Sequence, residues 1–289
     1  MRYYLSKVLR RIAIVSPKLH TRILFYRAMG KILNLKDPVT LNEKIHWLKF
    51  NEHKGNDIYK LCADKYLVRD YILDIGCPEI LNELIGVYDS FEEIDFNKLP
   101  NKFVLKCNHG AGYNIVVSNK DNFDKELSRE KINRWLKSDY SLIASEMHYK
   151  EIPRKIICEK FLENEEGNFP DDYKFYCFNG RPECVMLCKG RKNGETKFYY
   201  FDLDWQLLPL STDSINAIEN NITIDKPHGY NDMLEYAKKV SKDFKFVRAD
   251  FYLINSKVLF GELTFTPSAG LDTERLPQTD LLLGEMLKI

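Results

Sequence analysis

Phe103-Val104-Leu105-Lys106-Cys107-Asn108-His109-Gly110-Ala111-Gly112-Tyr113-Asn114-Ile115-Val116-Val117-Ser118 is the stretch around which the rest of the chain is arranged. An apolar run ending in lysine and a β-branched run, joined by a glycine-containing loop, predict an antiparallel hairpin. Gly110 and Gly112 would let the loop backbone reach positive φ and bring its N–H groups close to a ligand. Lys106, at the strand end, offers a point charge suited to phosphate oxygens. An ordinary hairpin with a glycine turn fits the same letters, so the reading depends on the partners found further along.

The sharpest partner is the last predicted hairpin, Phe246 to Ile254 and Lys257 to Phe265, joined at Asn255-Ser256. The strand period of two puts Arg248 and Asp250 on one face, and Glu262 and Thr264 on one face of the paired strand. Two carboxylates facing the same way beside an arginine can hold a hard divalent cation such as Mg²⁺, which takes oxygen ligands and keeps positions for water and phosphate. A surface ion-pair cluster is the alternative. The apolar neighbours Phe251, Leu253, Leu259, Phe260, Leu263 and Phe265 argue against it, because buried carboxylates need partners. Between the two hairpins lie Glu159-Lys160-Phe161-Leu162, a strand end able to present backbone groups to a flat heterocycle, and Asp172-Tyr173-Lys174. Asp172 and Lys174 would share a face, a carboxylate for a ribose hydroxyl and an ammonium for a phosphate. Asn179-Gly180 predicts a hairpin turn after that strand.

Upstream the pattern is helical. Residues 1 to 36 fit two helices split at Ser16-Pro17, and they hold nine Lys/Arg and no acid. This basic segment could pack on the fold with a solvated face, or meet an anionic membrane surface or acidic polymer. Thr40 with Glu43 three residues on predicts a capping box opening a helix whose apolar face is Ile45, Trp47, Leu48 and Phe50. A further helix is expected over Asp57 to Ile75, ended by Gly76-Cys77-Pro78, with Lys65 and Arg69 four apart on one face and able to point at an anion. Shorter strands are expected at Gly86 to Tyr88 and Lys197 to Phe201, with helices over Ser128 to Ser138 and Asn231 to Phe244. The resulting class is α+β, a helical front followed by mostly antiparallel sheet.

Composition bounds the function. A net charge of +1 over 289 residues gives no case for bulk nucleic-acid binding. Seven cysteines with no CxxC pair suit a reducing compartment and act as small apolar fillers rather than a disulfide framework or zinc site. No apolar run approaches membrane-span length, and Arg10 and Arg11 break the first one, so the chain reads as cytoplasmic, with the inner membrane face as a peripheral contact. Asp202-Leu203-Asp204 has the letters of a glycosyltransferase metal motif but ends at Trp205 in an expected turn. His109 and His228 stand alone, with no nucleophile beside them.

Cations, a strand–Lys–Gly loop, a hinge strand, Asp-x-Lys, and Arg-x-Asp paired with Glu-x-Thr form an order that resembles the ATP-grasp superfamily. The wording is closest to its TupA-like (teichuronopeptide-biosynthesis-like) branch: LNEKIHWLK at 41 to 49, ADKYLVRDY at 63 to 71, FVLKCNHGAGYN at 103 to 114, ICEKFL at 157 to 162, DDYKFYCFNGRP at 171 to 182, and FVRADFYLINSKVLFGELTFTPSAG at 246 to 270. The resemblance implies two mostly antiparallel lobes sandwiching ATP, and a carboxylate–amine ligase working through an acyl-phosphate. It divides the chain into a basic helical segment (1–36), a helical or substrate lobe (37–100) and an ATP-grasp domain (101–289), the last split into a phosphate-loop lobe (101–160) and a metal-binding lobe (161–289). It assigns Lys65 or Arg69, together with Lys106, to nucleotide phosphates, and His109, Gly110, Ala111 and Gly112 to the loop closing over them. Glu159, Lys160 and Leu162 go to the base, Asp172 to the ribose, Lys174 and Arg191 to the transferring phosphate, and Arg248 to the acyl-phosphate. Asp250, Glu262 and Thr264 go to Mg²⁺, with Thr264 standing where many members have asparagine. The implied substrates are a uronic acid of a bacterial surface polysaccharide and an amino acid or amine, with a lipid-linked glycan as one form of acceptor. A glycosyltransferase and an ATP-binding module without turnover are the alternatives, and the sequence leaves the oligomeric state open.

Overall fold

In the computed structural model, which describes residues 2–164, 167–190 and 196–289, the hairpin around Lys106 forms as β2 (Phe103–Cys107) and β3 (Asn114–Val117). With β1 (Leu84–Tyr88) and β4 (Ile156–Lys160) it makes a four-stranded antiparallel sheet in the order β1-β4-β2-β3. Alternation along the strands sends Phe103, Leu105, Cys107, Ile156 and Cys158 to one face, where they form a core with Phe91, Leu99 and Ile132. Ile132 comes from α6 (Lys125–Leu136), which covers this face. Val104, Lys106, Asn114, Val116 and Glu159 take the opposite face and wall a cleft. Because β1 precedes residue 101 yet is hydrogen-bonded to β4, the division expected at 100/101 runs through this sheet. The ladder, not the polar run before it, sets the unit.

The second sheet holds β5 (Asp172–Phe178), β6 (Arg181–Lys189), β7 (Lys197–Phe201), β8 (Leu207–Leu208), β9 (Phe246–Ile254) and β10 (Lys257–Thr264), in the order β10-β9-β5-β6-β7-β8. Asn179 and Gly180 (φ 52° and 83°) turn β5 into β6, and Asn255 and Ser256 (φ 51° and 61°) turn β9 into β10. Positive φ at both turn residues matches the right-handed strand twist. One face of the sheet packs Phe175, Cys177, Val185, Leu187, Val247, Ala249 and Phe251 against Met233, Ala237 and Val240 of α9 (Tyr230–Ser241). The other face is divided. Tyr176, Phe178, Cys184, Met186 and Phe246 lie under Leu41, Ile45 and Leu48 of α3 (Leu41–Asn51) and Leu283 of α10 (Pro277–Met286). Beyond that cover, Asp172, Lys174 and Asp250 form the floor of the cleft.

At the N-terminus, α1 (Arg2–Val15) and α2 (Pro17–Met29) are split where expected: Ser16 Oγ caps the Leu19 amide, Pro17 opens the helix and Gly30 closes it at φ 67°. The Thr40–Glu43 capping box forms at the start of α3. The single helix expected over 57–75 does not. It is two, α4 (Asp57–Ala63) and α5 (Val68–Asp74), because the Asp64 carboxylate accepts the amides of Tyr66 (2.8 Å) and Leu67 (3.2 Å) and turns the chain. Lys65 therefore sits in a turn rather than one helical step from Arg69. All seven cysteines are buried and free. The short α7 (Ser141–Ala144), together with α8 (Thr212–Glu219) and α10, was not read from the sequence. Asp202 Oδ1 accepts the amides of Asp204 and Gln206 in the β7–β8 turn, so the Asp-x-Asp letters encode a turn. No helix among the described residues is long and apolar enough to cross a membrane.

Candidate functional site

The cleft floor owes its geometry to one glycine. Phe260 pairs with Phe251, but after a bulge at Gly261 it is Glu262 that pairs with Asp250, and Thr264 with Arg248. Cross-strand partners share a face, and Asp250 and Phe251 face opposite sides of the sheet. An unbroken strand would keep Glu262 with Phe260 on the apolar side; the extra residue turns it to the Asp250 side. A Cβ at position 261 would meet the Asp250 carbonyl at 2.9 Å, so the bulge suits glycine.

Around this pair the charges interlock. Arg248 donates from Nε to Asp250 Oδ1 (2.8 Å) and from Nη2 to Asp250 Oδ2 (2.7 Å) and Thr264 Oγ1 (3.2 Å). Lys174, opposite Asp250 in the β5–β9 register, donates to Asp250 Oδ2 (2.5 Å) and lies 2.6 Å from Asp172 Oδ2. Thr264 donates to Glu262 Oε1 (3.1 Å). Burial pushes the Glu262 carboxyl up, but the charges of Lys65, Lys174 and Arg248 outweigh it and hold its pKa down at about 2. Lys174 and Arg248 are both desolvated, yet their carboxylate neighbours, Asp250 above all, keep them firmly charged.

The opposite wall is cationic. Lys106 Nζ donates to Glu159 Oε2 (2.5 Å), and Arg69, bound to the Asn82 carbonyl (2.9 Å), lies 3.7 Å from the other Glu159 oxygen. The Glu159 carboxylate thus stands between Lys106 and Arg69. Lys65 Nζ reaches the Gly110 carbonyl (2.6 Å); burial lowers its pKa, and the positive charge of Lys106 adds to this against the pull of Glu262. Asn108 anchors the glycine loop, donating to Asp64 (2.9 Å) and the Pro153 carbonyl (2.8 Å) and accepting the Lys155 amide (2.8 Å).

Most of the expected residues meet here. Lys65, Arg69, Lys106, Ala111, Gly112, Glu159, Lys160, Leu162, Asp172, Lys174, Asp250 and Glu262 all line one cleft of about 350 Å³, within the size range of cofactor sites of about 300–1,000 Å³. Arg248 and Thr264 bond to its lining from below. Others are placed differently. The His109 ring is buried, its Nε2 on the Trp135 carbonyl (3.0 Å), behind the loop rather than in the cleft. Gly112 has the expected positive φ (72°), but Gly110 does not. It is there because a Cβ would strike the Tyr140 ring at 2.6 Å. The Lys160 amide donates to the Glu83 carbonyl (3.0 Å), so that N–H is committed to the sheet. Arg191 lies outside the described residues. Sequence reasoning missed Asn82, Tyr149 and Tyr252 in the lining. It also missed the bulge, for which the isolated glycine inside a strand was the available signal.

The donor set fits a polyphosphate and a small hard cation. Lys65, Lys106, Lys160, Lys174 and Arg69 line the cleft from both walls. Glu262 is ionised, its Oε1 accepting the Thr264 hydroxyl and lying 3.8 Å from Arg248 Nη2, whereas both Asp250 oxygens are hydrogen-bonded, by Arg248 and Lys174. Glu262 and Asp250 are the residues that would hold such a cation. Mg²⁺ takes one or two carboxylates and completes its shell with water and phosphate; among the described residues no three His, Cys, Asp or Glu side chains cluster.

A family profile described as TupA-like ATPgrasp matches residues 43–288. Among solved structures, D-alanine–D-alanine ligase from Bacillus anthracis complexed with ATP is 14% identical over 78% of this chain and 65% of its own, with a TM-score of 0.46. L-amino acid ligase from Bacillus licheniformis is 10% identical over 89% of this chain and 57% of its own, with a TM-score of 0.49. The chain thus spans less than two thirds of either ligase. No curated protein matches the chain.

Proposed function

The chain belongs to the TupA-like ATP-grasp family, and from that premise we propose that it is an ATP-dependent carboxylate–amine ligase working through an acyl-phosphate. The observation carrying this is the floor of the cleft, where the Gly261 bulge brings Glu262 beside Asp250 within reach of Lys174 and Arg248. Bound ATP with Mg²⁺ supplies a transferable phosphoryl group and neutralises charge as it moves. Glu262 and Asp250 are the residues to hold the metal. Lys65, Lys106 and Arg69 are the residues to neutralise phosphate oxygens from the opposite wall, and Asp172 stands where a hydroxyl donor such as a ribose would meet it. Lys174 begins between two carboxylates, so it can move from Asp250 to an arriving anion with little loss of pairing. Arg248 is fixed in place by Asp250 and Thr264, aimed to stabilise an acyl-phosphate and the anion formed as an amine attacks. The glycine loop, tied down by Asn108, is placed to exclude water from an activated acyl group.

The substrate pair we propose is a uronic acid of a bacterial surface polysaccharide and an amino acid or amine. The cation-rich cleft supports a carboxylate substrate, and the TupA-like family supports the sugar. A second reading, nucleotide binding without turnover, is favoured by the engagement of both Asp250 oxygens and the Thr264 hydroxyl. Hydroxylamine trapping separates the two: with ATP, Mg²⁺ and a uronic acid, a ligase yields the sugar hydroxamate. Stabilisation by ATP with no hydroxamate from any acid would replace the ligase with the binding module.

A further inference from the structure

The α1–α2 hairpin has two unlike faces. Ala13, His20, Thr21, Phe25 and Leu33 are buried. Both helices rest on α7, and His20 Nδ1 shares a hydrogen bond with Ser145 Oγ (2.9 Å) just beyond it. The outer face is open and apolar: Ile14 is 63% exposed, Val15 85%, Leu19 48% and Tyr26 60%, and Ile32, just past the end of α2, is 82% exposed. At 100° per residue, Val8, Ile14 and Val15 share one sector of α1 with Lys7, Arg10 and Arg11, and Leu19 and Tyr26 share one of α2 with Arg22. No acid lies among residues 1 to 36. Arg10 extends the basic surface into a groove shared with Arg129 and Arg134 of α6 and Lys137 at its end, which holds one carboxylate, Glu130.

We propose that this face docks the protein on the surface of a bilayer rich in anionic lipid. Large exposed aliphatic side chains between cations form the pattern of a helix lying in a membrane interface, with its apolar side chains among the acyl chains and its cations at the headgroups. Charge excludes the other occupants. A second copy meeting the same face would bring two all-cationic surfaces together across a two-fold axis. A soluble polyanion would satisfy the cations but leave Ile14, Val15 and Ile32 in water. Of the three, the anionic bilayer meets both needs. The inference does not depend on the ligase reading.

The test is sedimentation of the full chain with vesicles of phosphatidylcholine alone and of phosphatidylcholine with phosphatidylglycerol, at low and high salt. Two variant sets separate the contributions: Arg11→Gln with Arg22→Gln and Lys31→Gln, and Ile14→Gln with Val15→Gln and Ile32→Gln. Binding should require phosphatidylglycerol, weaken with salt, and fall on the order of a hundredfold when three cations are removed, at about 1 kcal/mol each. The apolar set should weaken it at least ~tenfold. A set that melts below the parent is replaced by Val15→Gln alone, which should weaken vesicle binding in the same direction. Absence of vesicle binding, or equal binding to both vesicle types, overturns the proposal. So does binding to phosphatidylglycerol vesicles and to polygalacturonate that is equally unaffected by the apolar set, and so does a dimer that the apolar set dissolves.

Discussion

Lys174 holds two buried carboxylates apart from each other, at 2.6 Å from Asp172 and 2.5 Å from Asp250. Lys174→Met removes one partner from a buried ion pair, which costs about 3–5 kcal/mol, with Arg248 still on Asp250 placing the cost near the lower end. Thermal denaturation should register it as a drop of about 10 °C; a melting temperature within about 2 °C of the parent would remove Lys174 from its bridging role. Glu262 gives a pH test. Its folded pKa of about 2 lies below the ordinary 4.5, so its contribution to stability is fully present above pH 4.5 and is lost as pH falls towards 2. Relative to Glu262→Gln, the parent should lose stability across that window; parallel curves would mean the carboxylate is not held by Lys65, Lys174 and Arg248. At this scale much was legible. Arg248 could be set with Asp250, Glu262 with Thr264 and Asp172 with Lys174 from strand parity and letters alone; that Glu262 would share the Asp250 face could not, because it needs the Gly261 bulge. That Thr264 would join Glu262 to Arg248, or that Glu159 would pair with Lys106, could not. Both depend on where two side chains end across a strand pair.

Among the elements, the β9–β10 bulge decides whether there is a site at all. Gly261→Ala puts a Cβ 2.9 Å from the Asp250 carbonyl, and the backbone has to shift. The expected result is a loss of about 1–3 kcal/mol, as for overpacking, with Mg²⁺-dependent nucleotide binding weakened more than metal-free binding because Glu262 and Asp250 separate. Calorimetric titrations with and without Mg²⁺ measure this, and equal weakening of both would show that the bulge does not set the metal site. Hairpins were readable because Asn179-Gly180 and Asn255-Ser256 carry their turn chemistry locally. The split of the 57–75 helix was not, because Asp64 turns the chain while held by Asn108, 44 residues away in sequence. Apolar periodicity continues through the break. The bulge itself was written only as one glycine in an otherwise regular strand.

Across the whole molecule, the cleft exists because the second sheet is covered by α3 and α10 over only part of one face. Beneath that cover lies an unusual interior. Lys49 is fully buried, donating to the carbonyls of Ala144 (3.1 Å) and Ala269 (2.5 Å), and burial lowers its pKa to about 8. It fastens the left-handed turn Ser268, Ala269 and Gly270 (φ 49°, 58° and 75°) that follows β10. His46, His53 and His148 are buried near it, kept neutral by burial and by the Lys49 charge, with His148 down at about 3. The unfolded chain takes up these protons below about pH 6.5 while the folded chain refuses them. Stability is therefore complete above that value and falls with acid, by up to about 1.4 kcal/mol per pH unit for each histidine. Urea denaturation at about pH 7.5, 6 and 5 should show this slope, reduced in His148→Gln; a flat profile would mean that these rings protonate in place. None of this was legible, since five of six histidines proved buried and nothing in a lone histidine tells the core from a site.

The most direct measurement is ADP release with ATP and Mg²⁺ across a panel of uronic acids, with and without amino acids, comparing the parent with Asp250→Asn combined with Glu262→Gln. Release should need both a carboxylate and an amine, and fall at least ~hundredfold in the double variant. Release independent of the amine, or undiminished when both carboxylates are gone, would contradict the ligase reading.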